Sequence, residues 1–168
     1  MFKPLTLTYA LACALIATTA HADLAVRFDE GAPKDRFTLT NVGDCTLDAT
    51  KVTVDLGTAP AGLIFDVTAA GAGVEVFQPF EVVAGADSLR SLPKVSDGEA
   101  AVTLDLKGLA AGKSVAFTID VDDTGGGREI TVSGSEIEGA SVRIAGVMQQ
   151  GVFNDRARAV VPTGSCSS

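Results

Sequence analysis

Apolar residues in this chain recur at every second position in short runs, and that period decides what it can fold into. In Thr50-Lys-Val-Thr-Val-Asp-Leu56 the apolar set is Val52, Val54 and Leu56, with Lys51, Thr53 and Asp55 between them. Alternate residues of a pleated strand point to opposite faces, so this run makes a strand with one buried and one wet face; on a helix the same residues would scatter. Ala101 to Lys107 repeats the pattern through Val102, Leu104 and Leu106, and Val115 to Val121 through Val115, Phe117, Ile119 and Val121. Glu129 to Ser133 and Ser141 to Ile144 follow suit. Weaker runs cover 24–28, 36–41, 63–66, 74–77, 80–83 and 157–161. The breaks between them carry Gly, Pro and Asp, as in Glu30-Gly-Ala-Pro33 and Ala70-Gly-Ala-Gly73. Many short half-buried strands predict an all-β fold: a single antiparallel β-sandwich of immunoglobulin-like layout, with a barrel as the alternative.

The first residues, MFKPLTLTYALACALIATTAHA, have one Lys, an apolar stretch from Leu5 to Ala17 and small residues up to Ala22. That is the order of a secretory signal peptide, with cleavage expected between Ala22 and Asp23. Cys13 raises the rival reading of a lipidated cysteine, but the Leu expected three places before it is missing and apolar residues continue beyond it. The expected domains are therefore a leader over 1–22 and one β-sandwich over 23–168, in the periplasm, secreted or at the cell surface. Cleavage removes Lys3 and no carboxylate, moving the net charge from −8 to −9. Such a surface repels phosphate backbones and anionic lipid, so neither a nucleic-acid partner nor membrane insertion of the mature chain is expected.

The only His, His21, and the only Tyr, Tyr9, fall in the predicted leader, and Trp is absent. A mature chain without His has no Ser-His-Asp or Cys-His mechanism and lacks the usual ligand of catalytic zinc, so a non-enzymatic protein is expected. Ser133 and Ser135 have neither a His nor a nucleophile elbow around them. The seven Phe residues after the leader, Phe28, Phe37, Phe65, Phe77, Phe80, Phe117 and Phe153, are expected in the core rather than on a sugar-binding face. Two cysteines remain after export, Cys45 and Cys166, and in an oxidising compartment the pair is expected to form one disulfide.

The most suggestive stretch is Thr118 to Ile130, TIDVDDTGGGREI. Asp120 and Asp122 are two apart on one strand and share a face, which the alternation makes the solvent face, and Asp123 begins the turn. Carboxylates this close repel one another, and a bound hard cation relieves that; calcium takes six to eight oxygens, some of which the Gly125-Gly126-Gly127 carbonyls could supply. The match to the start of an EF-hand loop breaks down at the twelfth position, where Thr131 stands instead of Glu, and upstream, where the flank is a strand. A different kind of calcium site survives that objection, with Asp120, Asp122, Asp123 and, from a neighbouring hairpin, Glu136 as candidate ligands. Against it stands the plainer reading that Asp and Gly are what a turn needs and that acidic strand ends resist edge pairing. Asp29 and Glu30 with Lys34, Asp35 and Arg36 read as a solvated hairpin with weak surface ion pairs.

Three stretches, AVRFDEGAPKDRFTLTNVGDC (25–45), AGLIFDVTAAGAGVEVFQPFEVVAG (61–85) and FTIDVDDTGGGREITVSGSEIEGASVRIAG (117–146), resemble exported proteobacterial proteins labelled aggregation factor core. The resemblance implies an extracytoplasmic all-β protein of cell-surface adhesion or aggregation, with calcium as a natural cofactor; no catalytic motif comes with it. The chain ends in TGSCSS without an apolar anchor, so adhesion would work through another surface component or by self-association. The competing expectation is a glycan-binding module that reads sugar hydroxyls through carboxylates and calcium.

Overall fold

The computed structural model describes residues 21–68, 78–124 and 132–164. Eleven strands are assigned among them: β1 (Leu24–Asp29), β2 (Asp35–Asn41), β3 (Thr50–Asp55), β4 (Leu63–Asp66), β5 (Glu81–Ala84), β6 (Leu89–Ser91), β7 (Ala101–Leu106), β8 (Ser114–Asp123), β9 (Ser141–Ile144), β10 (Gln150–Val152) and β11 (Arg158–Val161). They form two antiparallel sheets, one ordered β11-β1-β2-β8-β4 with β5 also on β8, the other β10-β9-β3-β7-β6. The chain passes from one sheet to the other several times, as Greek-key sandwiches do. The expected all-β sandwich is thus the fold, and among the described residues no α-helix is assigned and no helix is long and apolar enough to cross a membrane. The expected strands at 74–77 and 129–131, together with Phe77, Gly125 to Gly127, Thr131, Cys166 and leader residues 1–20, lie outside the described residues.

The alternation does what the sequence demands. Val52 and Val54 of β3, Val102, Leu104 and Leu106 of β7, and Val115, Phe117, Ile119 and Val121 of β8 all turn inward and are buried. Phe28, Phe37 and Phe117 are cross-strand partners on β1, β2 and β8, so their rings line up in a row across one sheet. Phe37 stands 5.1 Å from both Phe28 and Phe117 and meets Phe153 edge-on. Phe80 stacks on Phe117 at 4.9 Å from the far side. Each such ring withdraws enough apolar surface to stabilise the fold by roughly 1.5–3 kcal/mol, which is why the aromatic residues sit here and not on the surface.

β8 is the spine of its sheet. One margin pairs with β2 over Ser114 to Ile119; the other is shared, β5 taking Ala116 to Thr118 and β4 taking Asp120 to Asp123. The point where β4 hands over to β5 falls beside Asp120. β1 and β11 also pair antiparallel, with Leu24 opposite Val161, so the chain enters and leaves this sheet at neighbouring points.

At the opposite end of β2 from the hairpin, Asn41 is fully buried. Its Nδ2 donates to the carbonyls of Cys45 (2.7 Å) and Leu109 (2.8 Å), and its Oδ1 accepts from Gly43 N–H at 3.0 Å. One amide thereby ties Gly43 and Cys45 of the loop after β2 to Leu109, whose carbonyl also accepts Leu47 N–H in an isolated bridge. Asn41→Ala leaves them without that partner, and we expect a loss of about 2–3 kcal/mol, or roughly 10 °C in Tm, read by urea and thermal melts. Cys45, beside it, is half-buried against the core and is not a free thiol.

Residues His21 and Ala22 are already part of the body. Ala22 is buried, His21 accepts Asp44 N–H through its carbonyl at 2.7 Å, and Thr163 Oγ1 donates to the Ala22 carbonyl at 2.6 Å.

Candidate functional site: a carboxylate cluster at the β4–β8 joint

Strand register builds the site. Asp66, the last residue of β4, is the direct cross-strand partner of Asp120 on β8, and Asp122 follows two residues on. Partners across an antiparallel ladder point to the same side, as do residues i and i+2 of one strand, so the three carboxyl groups converge. One oxygen from each lies within 4.8 Å of the other two. Like charges directly opposite on a ladder are destabilising, and nothing about β-propensity favours Asp at these positions.

The cluster is also covered. Asp66 is 1% exposed and Asp120 7%, while Asp122 is half-buried. The expectation that Asp120 projects into solvent is therefore corrected. It is on the outward face of β8, as the alternation requires, but β4 lies alongside and Gln78, itself buried, reaches over it. Gln78 Nε2 donates to Asp120 Oδ2 at 2.8 Å. Its other amide atom, Oε1, and Asp66 Oδ2 are buried with no hydrogen-bond partner among the described residues. Leaving such an atom unpaired costs on the order of 1–3 kcal/mol, so two in one cluster are unusual.

Two more carboxylates border the three. Asp97 shares a hydrogen bond with the Asp66 carboxyl and also accepts Val67 N–H at 3.1 Å. Two ionised carboxylates cannot bond each other, so this contact favours the protonated form of Asp66 and helps to raise its pKa. Asp35 is the second. The solvated hairpin expected there is corrected too: Asp35 is 1% exposed, and only its neighbours make the exposed pairs Arg27–Asp29 and Lys34–Glu81. Beyond Ile119 β2 has run out, and Asp35 Oδ2 takes its place on the ladder by accepting Val121 N–H at 3.1 Å, while Oδ1 accepts Gly31 N–H at 3.0 Å. A side chain thus continues the pairing of β8 between the two candidate ligands Asp120 and Asp122.

The electrostatics follow from burial. Desolvation pushes the Asp35 carboxyl up to about 7; its two backbone hydrogen bonds oppose the shift, and Asp120 and Asp122 add to it. Asp66 is raised to about 6 by desolvation and then by Asp97 and Asp122. Asp120 is raised to about 6 by desolvation and then by Asp122 and Asp66.

Of the residues expected as calcium ligands, Asp120 and Asp122 come together and two others do not join them. Asp123 pairs with Leu63 one residue further along the ladder, so its side chain leaves from the other face. Glu136 is spent locally: its Oε2 accepts Ser133 N–H at 2.6 Å and Ser133 Oγ at 2.7 Å, closing the turn that begins there. The neighbouring hairpin that would have carried Glu136 to the site is a run of turns from Gly134 to Gly139. Asp66, Asp97 and Gln78 were missed. The only hint was the Asp ending the short run 63–66, an acidic terminus like that of the β8 run.

Comparison of the chain with protein-family models, with curated proteins and with solved structures found no match.

Proposed function

We propose that this chain is a non-enzymatic β-sandwich module, secreted or periplasmic, that serves cell-surface adhesion or aggregation and is stabilised by calcium. The observation that carries the reading is where the chemistry has been put. Among the described residues, three carboxylates, Asp66, Asp120 and Asp122, converge in the joint between two strands, with one oxygen of each within 4.8 Å of the others. Left to themselves they push β4 and β8 apart; bridged by a cation they would clamp the two strands together, a structural role rather than a catalytic one. Lack of His after position 21 supports the same conclusion from the sequence side. On the outer face of β1, β2 and β11 a shallow hollow is lined by Ala25, Thr38, Thr40, Val42 and Val160 together with Arg27 and Arg158, and about half of Val42 and of Val160 is exposed. A surface component or a second copy of the chain has an apolar seat there. Joining Cys45 to Cys166 would tie the chain's end to the loop after β2 and suits an exported protein.

The test is direct. Beads or cells coated with the purified protein should clump in millimolar calcium and disperse in chelator. Coated particles that stay dispersed under both conditions would remove the adhesion reading.

A further inference from the structure

We propose that Asp66, Asp120 and Asp122, together with the side-chain carbonyl of Gln78, form a site for one hard divalent cation. The proposal rests on the calcium-stabilised reading above and supplies that reading with its ligands.

Acidic clusters are common on surfaces and bind nothing in particular; three features set this one apart. The first is spacing. Oxygens that surround one calcium ion at 2.3–2.6 Å stand at most about 5 Å apart, and one oxygen each from Asp66, Asp120 and Asp122 meets that limit. The second is rigidity. All three ligands lie on paired strands in a fixed register, and Asp35 holds the β8 backbone between two of them through Val121 N–H, so little ordering remains to be done on binding. The third is independent of the carboxylates. Gln78 is a neutral side chain, 7% exposed, whose amide group reaches the cluster through its nitrogen on Asp120 and whose carbonyl oxygen is buried with no hydrogen-bond partner among the described residues. Asp66 Oδ2 is likewise unpartnered. Buried acceptors that lack donors are what a cation completes.

Donor chemistry sets the class of ion. The set is all oxygen, three carboxylates and an amide carbonyl, which suits calcium, magnesium or manganese and is poor for zinc or copper, whose preferred ligands are imidazole and thiolate. Magnesium demands near-octahedral geometry at 2.0–2.1 Å and gives up its water reluctantly, whereas calcium tolerates ligands that come from two strands and a loop. Calcium is expected to bind more tightly than magnesium.

The experiment is calcium titration of the chelator-treated protein by calorimetry at neutral pH and physiological ionic strength, with a thermal melt at each end point. The parent should bind one calcium per chain and gain several degrees in midpoint at millimolar calcium, since a ligand specific to the native state raises Tm. Asp66→Asn and Gln78→Leu should each weaken binding tenfold or more. Asp123→Asn and Glu136→Gln should bind like the parent. Asp66→Asn removes a repulsive charge, so its chelator-treated midpoint should be at or above that of the parent, which separates lost binding from lost folding. Absence of stoichiometric binding in the parent, or unchanged binding in both Asp66→Asn and Gln78→Leu, overturns the site. Stoichiometric binding by a protein that never clumps particles would instead defeat the adhesion reading and leave the site standing.

Discussion

In calcium-free buffer the protein should melt at a higher temperature at pH 5 than at pH 8. Carboxylates usually give the opposite trend, because most are better solvated or paired when ionised in the folded state. Here burial holds Asp35 near 7 and Asp66 and Asp120 near 6, against about 4 in an unfolded chain. Between pH 4 and 7 the folded protein therefore binds more protons than the unfolded one, and stability falls as pH rises. The contribution is complete below the unfolded value and is lost as pH climbs through 6 to 7. A single group shifted by about three units accounts for on the order of 4 kcal/mol, and because the groups repel one another their contributions do not simply add. Urea midpoints at pH 5, 6, 7 and 8 in chelator should fall progressively, and saturating calcium should flatten the slope. Midpoints that rise steadily over that range would contradict the burial of these three carboxyl groups.

The second large effect belongs to the aromatic row. Phe117 is fully buried, flanked by Phe37 on one side and Phe80 on the other, and lies on the one strand that three others share. Truncation to Ala removes the transfer free energy of the ring and leaves a cavity between the rings of Phe37 and Phe80, at an expected cost of about 3–5 kcal/mol. That is a large part of the whole stability of a domain this size. Val160→Ala, on the outer face and about half exposed, should change stability by less than about 0.5 kcal/mol. Equal losses in the two variants, measured by denaturant titration, would show that the ring row is not where the core is tightest.

The architecture was legible because period two leaves little choice. Every clear alternating run within the described residues became a strand with the predicted face inward, from Val52 and Val54 to Phe117 and Ile119. The short strands β6 and β10 were not foreseen, since three residues are too few to show a period and both owe their state to the neighbour they pair with. The site was half legible. Asp120 and Asp122 announced themselves through proximity along the chain, and so did Asp123 and Glu136, which the structure does not bring to the cluster. What brings Asp66 to them is the register of β4 on β8, a property of two strands more than fifty positions apart that no local pattern encodes. Burial was misjudged at Asp35 and Asp120 for a related reason. Alternation tells which side of a strand a residue takes, but not whether another segment will cover that side.

The pairing of β1 with β11 limits how such a module can bear load. Residues 24 and 161 are opposite one another, so tension applied between them would pull the two strands apart like the halves of a zip, breaking their hydrogen bonds singly. Strands drawn past each other in shear resist far more, because their bonds must fail together. Any mechanical link this protein makes is therefore best carried across its sheet faces rather than through β1 and β11.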